Sequence, residues 1–330
     1  MLNRRNKIYY IPDKSATIWE RKYKEWGCSF KAIPSFPEAI QIQTITGCNA
    51  SCAFCPSGKT KKPIPAGKME DELYRKIIDE GLKKPVKRIS PYLMNEPLCD
   101  SELGWKIKYI AERKNTRPSI KLNTNASLLR GKLLEDILNS GLNRLNISFH
   151  GISKEVYEKS MKGLKYEKTL AHVNTILEAK KQINQEKPRI TITMVRTKLI
   201  DSQMDDIKSY WGKRSISIHF QPMENRANGY IRDQGLNPGE WRPYLHCKRL
   251  FKQAYILYNG DMVLCCADWE RTTILGNVRE KSIEEVWNGE KAVSIRKKFL
   301  SGDTQGLLCH SCVRQPRQLR ERLSWNKINR

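Results

Sequence analysis

The stretch Ala39-Ile-Gln-Ile-Gln-Thr-Ile-Thr-Gly-Cys-Asn-Ala-Ser-Cys-Ala-Phe-Cys55 decides how the rest of the chain is read. Its apolar residues alternate from Ala39 to Thr46, which predicts a buried strand, and Gly47 offers a turn at its end. Cys48, Cys52 and Cys55 follow in a C-x3-C-x2-C array. Three thiolates on one short loop can each reach a different iron of a cubane, leaving the fourth iron open to a further ligand. Part of a zinc site, whose usual pairs are spaced C-x2-4-C, and a disulfide fragment compete for the same three residues.

Beyond this loop, short apolar runs alternate with amphipathic segments. Helices are predicted over 71–80, 101–113, 132–139, 166–181 and 201–211, and strands over 86–93, 120–123, 144–148, 189–195 and 216–221. A repeated β-α unit of this kind makes a parallel sheet covered by helices, an α/β fold of six strands when Ala39 to Thr46 is counted. Function in such folds gathers just past the carboxyl ends of the strands. Met94-Asn95-Glu96-Pro97-Leu98, Asn123-Thr124-Asn125, Ser148-Phe149-His150-Gly151, Arg196 and Gln221 fall there. Asn and Ser are also common at strand ends for local turn reasons, so these positions carry a structural reading beside the functional one.

With Phe54 just before its last cysteine, the array resembles the radical S-adenosylmethionine (SAM) superfamily. The resemblance implies a partial (β/α)6 TIM-like barrel, with a [4Fe-4S] cluster on Cys48, Cys52 and Cys55 and SAM's amino and carboxylate groups on the open iron. Reductive cleavage of SAM there yields a 5'-deoxyadenosyl radical. Met94-Asn95-Glu96 looks like the family's Gly-Gly-Glu element; Met94 and Asn95 depart from it, and Glu96 is the anionic partner for SAM's ammonium. By the same resemblance Asn123, Asn125 and Ser148 take ribose and carboxylate roles, Gln221 faces the adenine and Arg196 meets a carboxylate. His150 is a substrate contact, a proton relay or a structural histidine.

A second set follows: Cys247, Cys265 after 17 intervening residues, then Cys309-His310-Ser311-Cys312. Four thiolates suffice for a fully ligated cluster, or for tetrahedral zinc. Between them, Gln253 to Leu257 and Met262 to Leu264 flank Asn259-Gly260, a two-residue hairpin signal. The stretches Gly260 to Cys266, Leu275 to Val278 and Ile283 to Trp287 resemble the SPASM domain in its shortened twitch form, which implies an auxiliary [4Fe-4S] cluster on Cys247, Cys265, Cys309 and Cys312. The cysteine spacing is similar to that of the aminocyclitol dehydrogenase branch. Cys266 is spare: a hydrogen-atom donor, as in radical SAM epimerases, or a small buried hydrophobe. Cys28 and Cys99 are weaker donor candidates.

The chain thus divides into an extension (1–38), a barrel (39–235), an auxiliary cluster domain (236–313) and a basic tail (314–330), whose Leu319 and Leu323 are spaced for a final helix. At 330 residues there is room for one barrel and a smaller unit. No run approaches the roughly 20 apolar residues of a membrane span, and the amino end lacks an apolar signal region. Low-potential clusters need reduced thiolates, which places the expected protein in the cytoplasm with a flavodoxin or ferredoxin as electron donor. The net charge of +25 admits an anionic substrate, an acidic donor or nucleic acid. No aromatic-interleaved basic motif supports nucleic acid, although a zinc-containing nucleic-acid-binding module remains the outside alternative. The function expected is hydrogen abstraction from a small polyhydroxylated substrate, a sugar or aminocyclitol, with oxidation of an alcohol. Epimerisation and ribosomal peptide modification are the alternatives; the short amino-terminal extension argues for a small molecule.

Overall fold

The computed structural model describes residues 34–115, 117–227, 235–243, 247–314 and 322–323. Six strands form its centre: β1 (Ala39–Ile42), β2 (Arg88–Ser90), β3 (Ser119–Thr124), β4 (Arg144–Ser148), β5 (Arg189–Val195) and β6 (Ser217–Gln221). Each pairs in parallel with the next, so all six carboxyl ends lie on one side. Strands β7 (Arg242–Pro243) and β11 (Val313–Arg314) pair separately. The full order is β10-β9-β8-β1-β2-β3-β4-β5-β6-β12, adding β8 (Gln253–Ile256), β9 (Asp261–Val263), β10 (Ile274–Asn277) and β12 (Arg322–Leu323). The sheet is not closed, in keeping with the partial barrel expected.

Side-chain alternation explains the layers. Ile120 and Leu122, Leu145 and Ile147, and Ile192 and Met194 are fully buried in one apolar core with the helices. Their neighbours Lys121, Asn123, Asn146, Ser148, Thr191 and Thr193 face the other side, so the inner wall of the curve is polar. Helix Asp71–Leu82 shows how the outer layer forms. Asp71 and Glu72 suit the positive end of its dipole, and Leu73, Tyr74, Ile77 and Ile78 are buried. Each buried aliphatic side chain contributes about 1.5–3 kcal/mol. Gly81 lets this helix close on β1, since a Cβ there would lie 3.0 Å from Ile40 Cδ1.

Several expectations shift. β1 stops at Ile42 because Thr44 and Thr46 bond instead to Met69 and Gly67. The 201–211 helix is two, Lys198–Asp201 and Met204–Gly212, and helix Lys154–Ser160, capped by Ser153, is additional. The hairpin of β8 and β9 has three loop residues rather than two: Leu257 and Asp261 are bonded across it, and Gly260 takes the left-handed conformation at φ +92°. β8 also pairs in parallel with β1, which makes the carboxyl-terminal unit part of the barrel sheet. In the tail, Leu323 lies in β12, antiparallel to β6, rather than in a helix; the edge of β6 offers hydrogen-bonding groups that a strand satisfies. Leu319 and Cys28 lie outside the described residues.

Asp100 and Lys106, both fully buried, pair at 2.6 Å beneath the loop after β2. Removing one partner strands the other charge. Lys106→Ala is expected to cost about 3–5 kcal/mol in urea unfolding, whereas Lys106→Met with Asp100→Leu recovers most of it.

Candidate active site at the carboxyl ends of the strands

The three-cysteine loop leaves β1 through Gly47, whose φ of +85° suits glycine. Hydrogen bonds from Ser51 N to Lys162 O and from Ala53 N to Ser160 O fasten it to the end of helix Lys154–Ser160. Lys59 closes the loop from beneath: its Nζ donates to the carbonyls of Cys52 (2.7 Å), Cys55 (3.1 Å) and Ala53 (3.4 Å). Turning these carbonyls toward an ammonium leaves amide hydrogens for the sulfurs, as where Ser57 N lies 3.5 Å from Cys55 Sγ. The Phe54 ring sits 4.3 Å from that of His150. His150 is buried, accepts from Val195 N at 3.0 Å and is pushed down to about 3 by burial, so its neutral ring ties the end of β4 to β5.

Glu96 joins the next two strands to this loop. Its amide donates to Gly47 O at 3.0 Å. Its carboxylate accepts from Thr124 Oγ1 (2.5 Å), Asn125 N (2.8 Å) and Leu98 N (3.0 Å). Burial nevertheless dominates these bonds and raises the carboxyl to about 7. Asn125 carries the link onward, donating to Asn49 Oδ1 at 2.9 Å with its Nδ2 4.0 Å from Cys48 Sγ. Before Glu96, Met94 is held at φ +52°, a conformation glycine adopts at lower cost. Asn95 Oδ1 accepts from Leu93 N, while Asn95 Nδ2 is buried without a hydrogen-bond partner. Asn123 Oδ1 is buried and unpartnered too. Such atoms suit a polar ligand, because each otherwise bears a full desolvation cost.

The remaining predicted positions are spread round the rim. Ser148 ends β4 opposite Thr193. Gln221 ends β6, its carbonyl accepting from Arg196 N at 2.8 Å. Arg196 Nε lies 3.7 Å from Asp201, which draws this guanidinium to the rim. Cys99 is half-buried and bonded to the Asn49 amide.

Cys247, Cys265 and Cys309 border one small apolar cluster built on Leu250, Phe251, Leu264, Ile295 and Phe299. Cys312 N bonds to Cys309 O at 3.2 Å, and β7 paired with β11 ties the chain ends flanking Cys247 and Cys312. Cys266 instead packs with Met94 against Leu93, Tyr255, Leu257 and Val263. A bond with Cys265 and the nearby Arg249 guanidinium draw Cys266 down. Arg249 is itself held by Glu224 through two bonds of 2.9 and 2.7 Å. The roles of Lys59, Arg249 and Glu224 escaped sequence reading; each is a charged residue whose partner lies elsewhere in the chain or on the main chain.

Both cysteine sets fit a metal cluster chemically. Burial pushes Cys48, Cys52, Cys309 and Cys312 up to about 12, so these thiols remain uncharged until cationic iron compensates them. Among the described residues no three His, Cys, Asp or Glu side chains converge as a single-ion site.

The chain matches the Radical SAM superfamily over residues 42–210 and the SPASM iron-sulfur cluster-binding domain over 247–313. It is 22% identical to S-adenosyl-L-methionine-dependent 2-deoxy-scyllo-inosamine dehydrogenase of Niallia circulans, across 83% of this chain and 91% of the relative. It is 27% identical to AdoMet-dependent heme synthase of Methanosarcina barkeri, but over 45% of this chain and 41% of that one. The fold is similar to BtrN in complex with AdoMet and 2-DOIA, with a TM-score of 0.61 at 18% identity over 83% of this chain and 92% of that one. Streptococcus suis SuiB bound to its precursor peptide SuiA gives 0.64 at 16% identity over 90% and 75%. The family matches imply [4Fe-4S] clusters together with SAM, chemistry that the buried thiols and unpartnered amides accommodate. With the first match covering just over half of its residues, the chain belongs to the radical SAM superfamily and is an enzyme of that class with a SPASM-type carboxyl-terminal domain.

Proposed function

We propose that this enzyme oxidises an alcohol on a small polyhydroxylated substrate. The observation that carries the reading is the likeness to an aminocyclitol dehydrogenase along most of both chains. The polar inner wall of Asn123, Asn146, Ser148, Thr191 and Thr193 supports it, since a polyol needs hydrogen bonds from every side. When bound, the clusters and SAM supply an adenosyl radical that takes a hydrogen atom and a second centre that takes an electron.

The chain's own residues hold the parts. Cys48, Cys52 and Cys55 hold the cluster that binds SAM, and Cys247, Cys265, Cys309 and Cys312 hold the auxiliary one. Glu96 offers its carboxylate to SAM's ammonium, with Met94 and Asn95 lining the same contact and Asn95 Nδ2 supplying a donor. Asn123 and Asn125 face the ribose side, Ser148 and Arg196 a carboxylate, and Gln221 the adenine. The wall must present one C–H to the radical and shield the others, which is a demand on rigidity. Strands serve that demand better than loops. A flavodoxin or ferredoxin in a reducing cytoplasm is the matching electron source.

Two other outcomes have specific support. Cys266 and Met94 border the same apolar cluster, which suits hydrogen return and epimerisation. SuiB, bound to a precursor peptide, has a similar fold, which suits peptide modification.

Anaerobically reconstituted protein is expected to hold about eight irons and, with SAM and a strong reductant, to release 5'-deoxyadenosine. Replacing Cys48, Cys52 and Cys55 with alanine is expected to halve the iron and abolish the product; unchanged product would sink the reading. Turnover in deuterium oxide separates the outcomes: oxidation leaves the reacting carbon unlabelled, whereas label that disappears in Cys266→Ala establishes epimerisation.

Glu96 sets a pH dependence. Its folded-state value is raised above the ordinary 4.5 to about 7, so its contribution to stability is present below about pH 4.5 and lost as pH climbs through 7. Cluster-free protein is expected to lose about 3 kcal/mol across that window, with Glu96→Gln flattening the profile in denaturant titrations. SAM binding has the opposite sign, because the ammonium needs the ionised carboxylate. Affinity is expected to weaken below pH 7 by up to about tenfold per unit, a slope that Glu96→Gln removes in equilibrium binding.

A further inference from the structure

The ammonium of Lys59 is spent entirely on the cysteine loop. The turn from Pro56 to Lys59 folds it back: Lys59 N donates to Pro56 O at 2.8 Å, and Gly58 takes the left-handed conformation at φ +72° that such a turn requires of its third residue. Nζ then donates to the carbonyls of Cys52 (2.7 Å), Cys55 (3.1 Å) and Ala53 (3.4 Å), which uses all three of its hydrogens. Three carbonyls could equally be met by neutral donors. A half-buried ammonium costs desolvation instead, and among the described residues no carboxylate offsets its charge. The ionisable side chains that act on it are Cys55, Cys52 and a further cation, Lys162. The three ligands are therefore unequal. Cys52 and Cys55 have a cation against their main chain, whereas Cys48 has the neutral Asn125 amide 4.0 Å from its sulfur.

From these observations we propose that Lys59 is a positioning residue whose fixed charge raises the reduction potential of the cluster on Cys48, Cys52 and Cys55. This rests on the ligand assignment proposed above and goes beyond it. Reduction moves one electron from a flavodoxin- or ferredoxin-class donor, which is oxidised by one, to the cluster; no bond is made or broken and no proton moves. The electron adds a negative charge to a centre that its thiolates already make anionic, so a cation held beside two ligands favours the reduced state. Net charge, hydrogen bonds to the sulfurs and exposure set such potentials. Lys59 acts on the first directly. It acts on the second by drawing the loop carbonyls toward itself, which leaves Ser57 N facing Cys55 Sγ at 3.5 Å.

The test is an anaerobic redox titration of the full-length, reconstituted protein without SAM, followed by electron paramagnetic resonance. The signal that changes when SAM is added afterwards identifies the first cluster. Lys59→Met keeps the aliphatic stem, and Lys59→Gln keeps a neutral donor for the carbonyls. Both are expected to hold wild-type iron and to make reduction of the first cluster at least about tenfold less favourable, a fall of about 59 mV for one electron. Lys59→Arg is expected to restore most of the shift, and the auxiliary cluster's potential is expected to stay put. Lys62→Met is the control for the general basic charge; Lys62 is exposed, so solvent and salt screen it, and its loss is expected to leave the potential unchanged. An unchanged potential in either neutral variant overturns the proposal, as does an equal fall in Lys62→Met. Loss of first-cluster iron in both neutral variants assigns Lys59 to assembly of the loop and overturns it too. The iron content of the triple alanine variant tests the ligand assignment by itself, so either reading can fail while the other stands.

Discussion

A single buried carboxylate holds the upper face of the barrel in register. Glu96 reaches Thr124 and Asn125 at the end of β3 through its side chain, and Gly47 at the root of the cysteine loop through its amide. Three segments distant in sequence thus meet at one group, and their relative positions follow from hydrogen-bond geometry. Burial keeps the carboxyl's affinity for protons high, and the surrounding bonds leave it short of a cationic partner. The group that organises the site is therefore also the one best completed by an ammonium. Beneath it, the Asp100–Lys106 pair fixes the turn that follows, so the anchor stands on a satisfied foundation.

The second constraint is the continuity of the sheet. β8 pairs with β1 along Ala39 to Ile42, on the strand that feeds the first cysteine loop. The hairpin that delivers Cys265 and Cys266 is thus an extension of the barrel and not a separate body. Lys76 reinforces this by donating to the carbonyls of Val278 and Arg279 across the two units. Electron transfer and hydrogen return both depend steeply on distance, so fixing one cysteine set relative to the other through backbone hydrogen bonds suits either reaction.

What the sequence revealed depended on how local the signal was. β4 and β5 were legible to the residue, because Arg144–Ser148 and Arg189–Val195 are alternating runs with clear ends. β2 proved shorter than its run because the Val86 and Tyr92 amides turn to Lys84 and Ser90 instead of a neighbouring strand. Helix Lys154–Ser160 was hidden because seven residues hold too few apolar positions for a period to show. Parallel pairing of β8 with β1 joins residues more than two hundred positions apart, and the Asn259-Gly260 turn announced the antiparallel partner alone. Lys59 carried no mark within a lysine-rich stretch; three main-chain carbonyls define its place, and those exist in the folded loop.

Charge adds the last step. The excess of 60 basic over 35 acidic residues is a statement about the whole surface, and composition cannot say where it matters. Register can. It places Lys121, Arg144 and Arg189 on one face at the amino ends of β3, β4 and β5, and the exposure of Arg144 and Arg189 leaves solvent to screen their repulsion. Above that level the inner wall is built of Asn, Ser and Thr side chains and is neutral. The excess basic charge along these strands thus lies at the end opposite Glu96 and the cysteine loop.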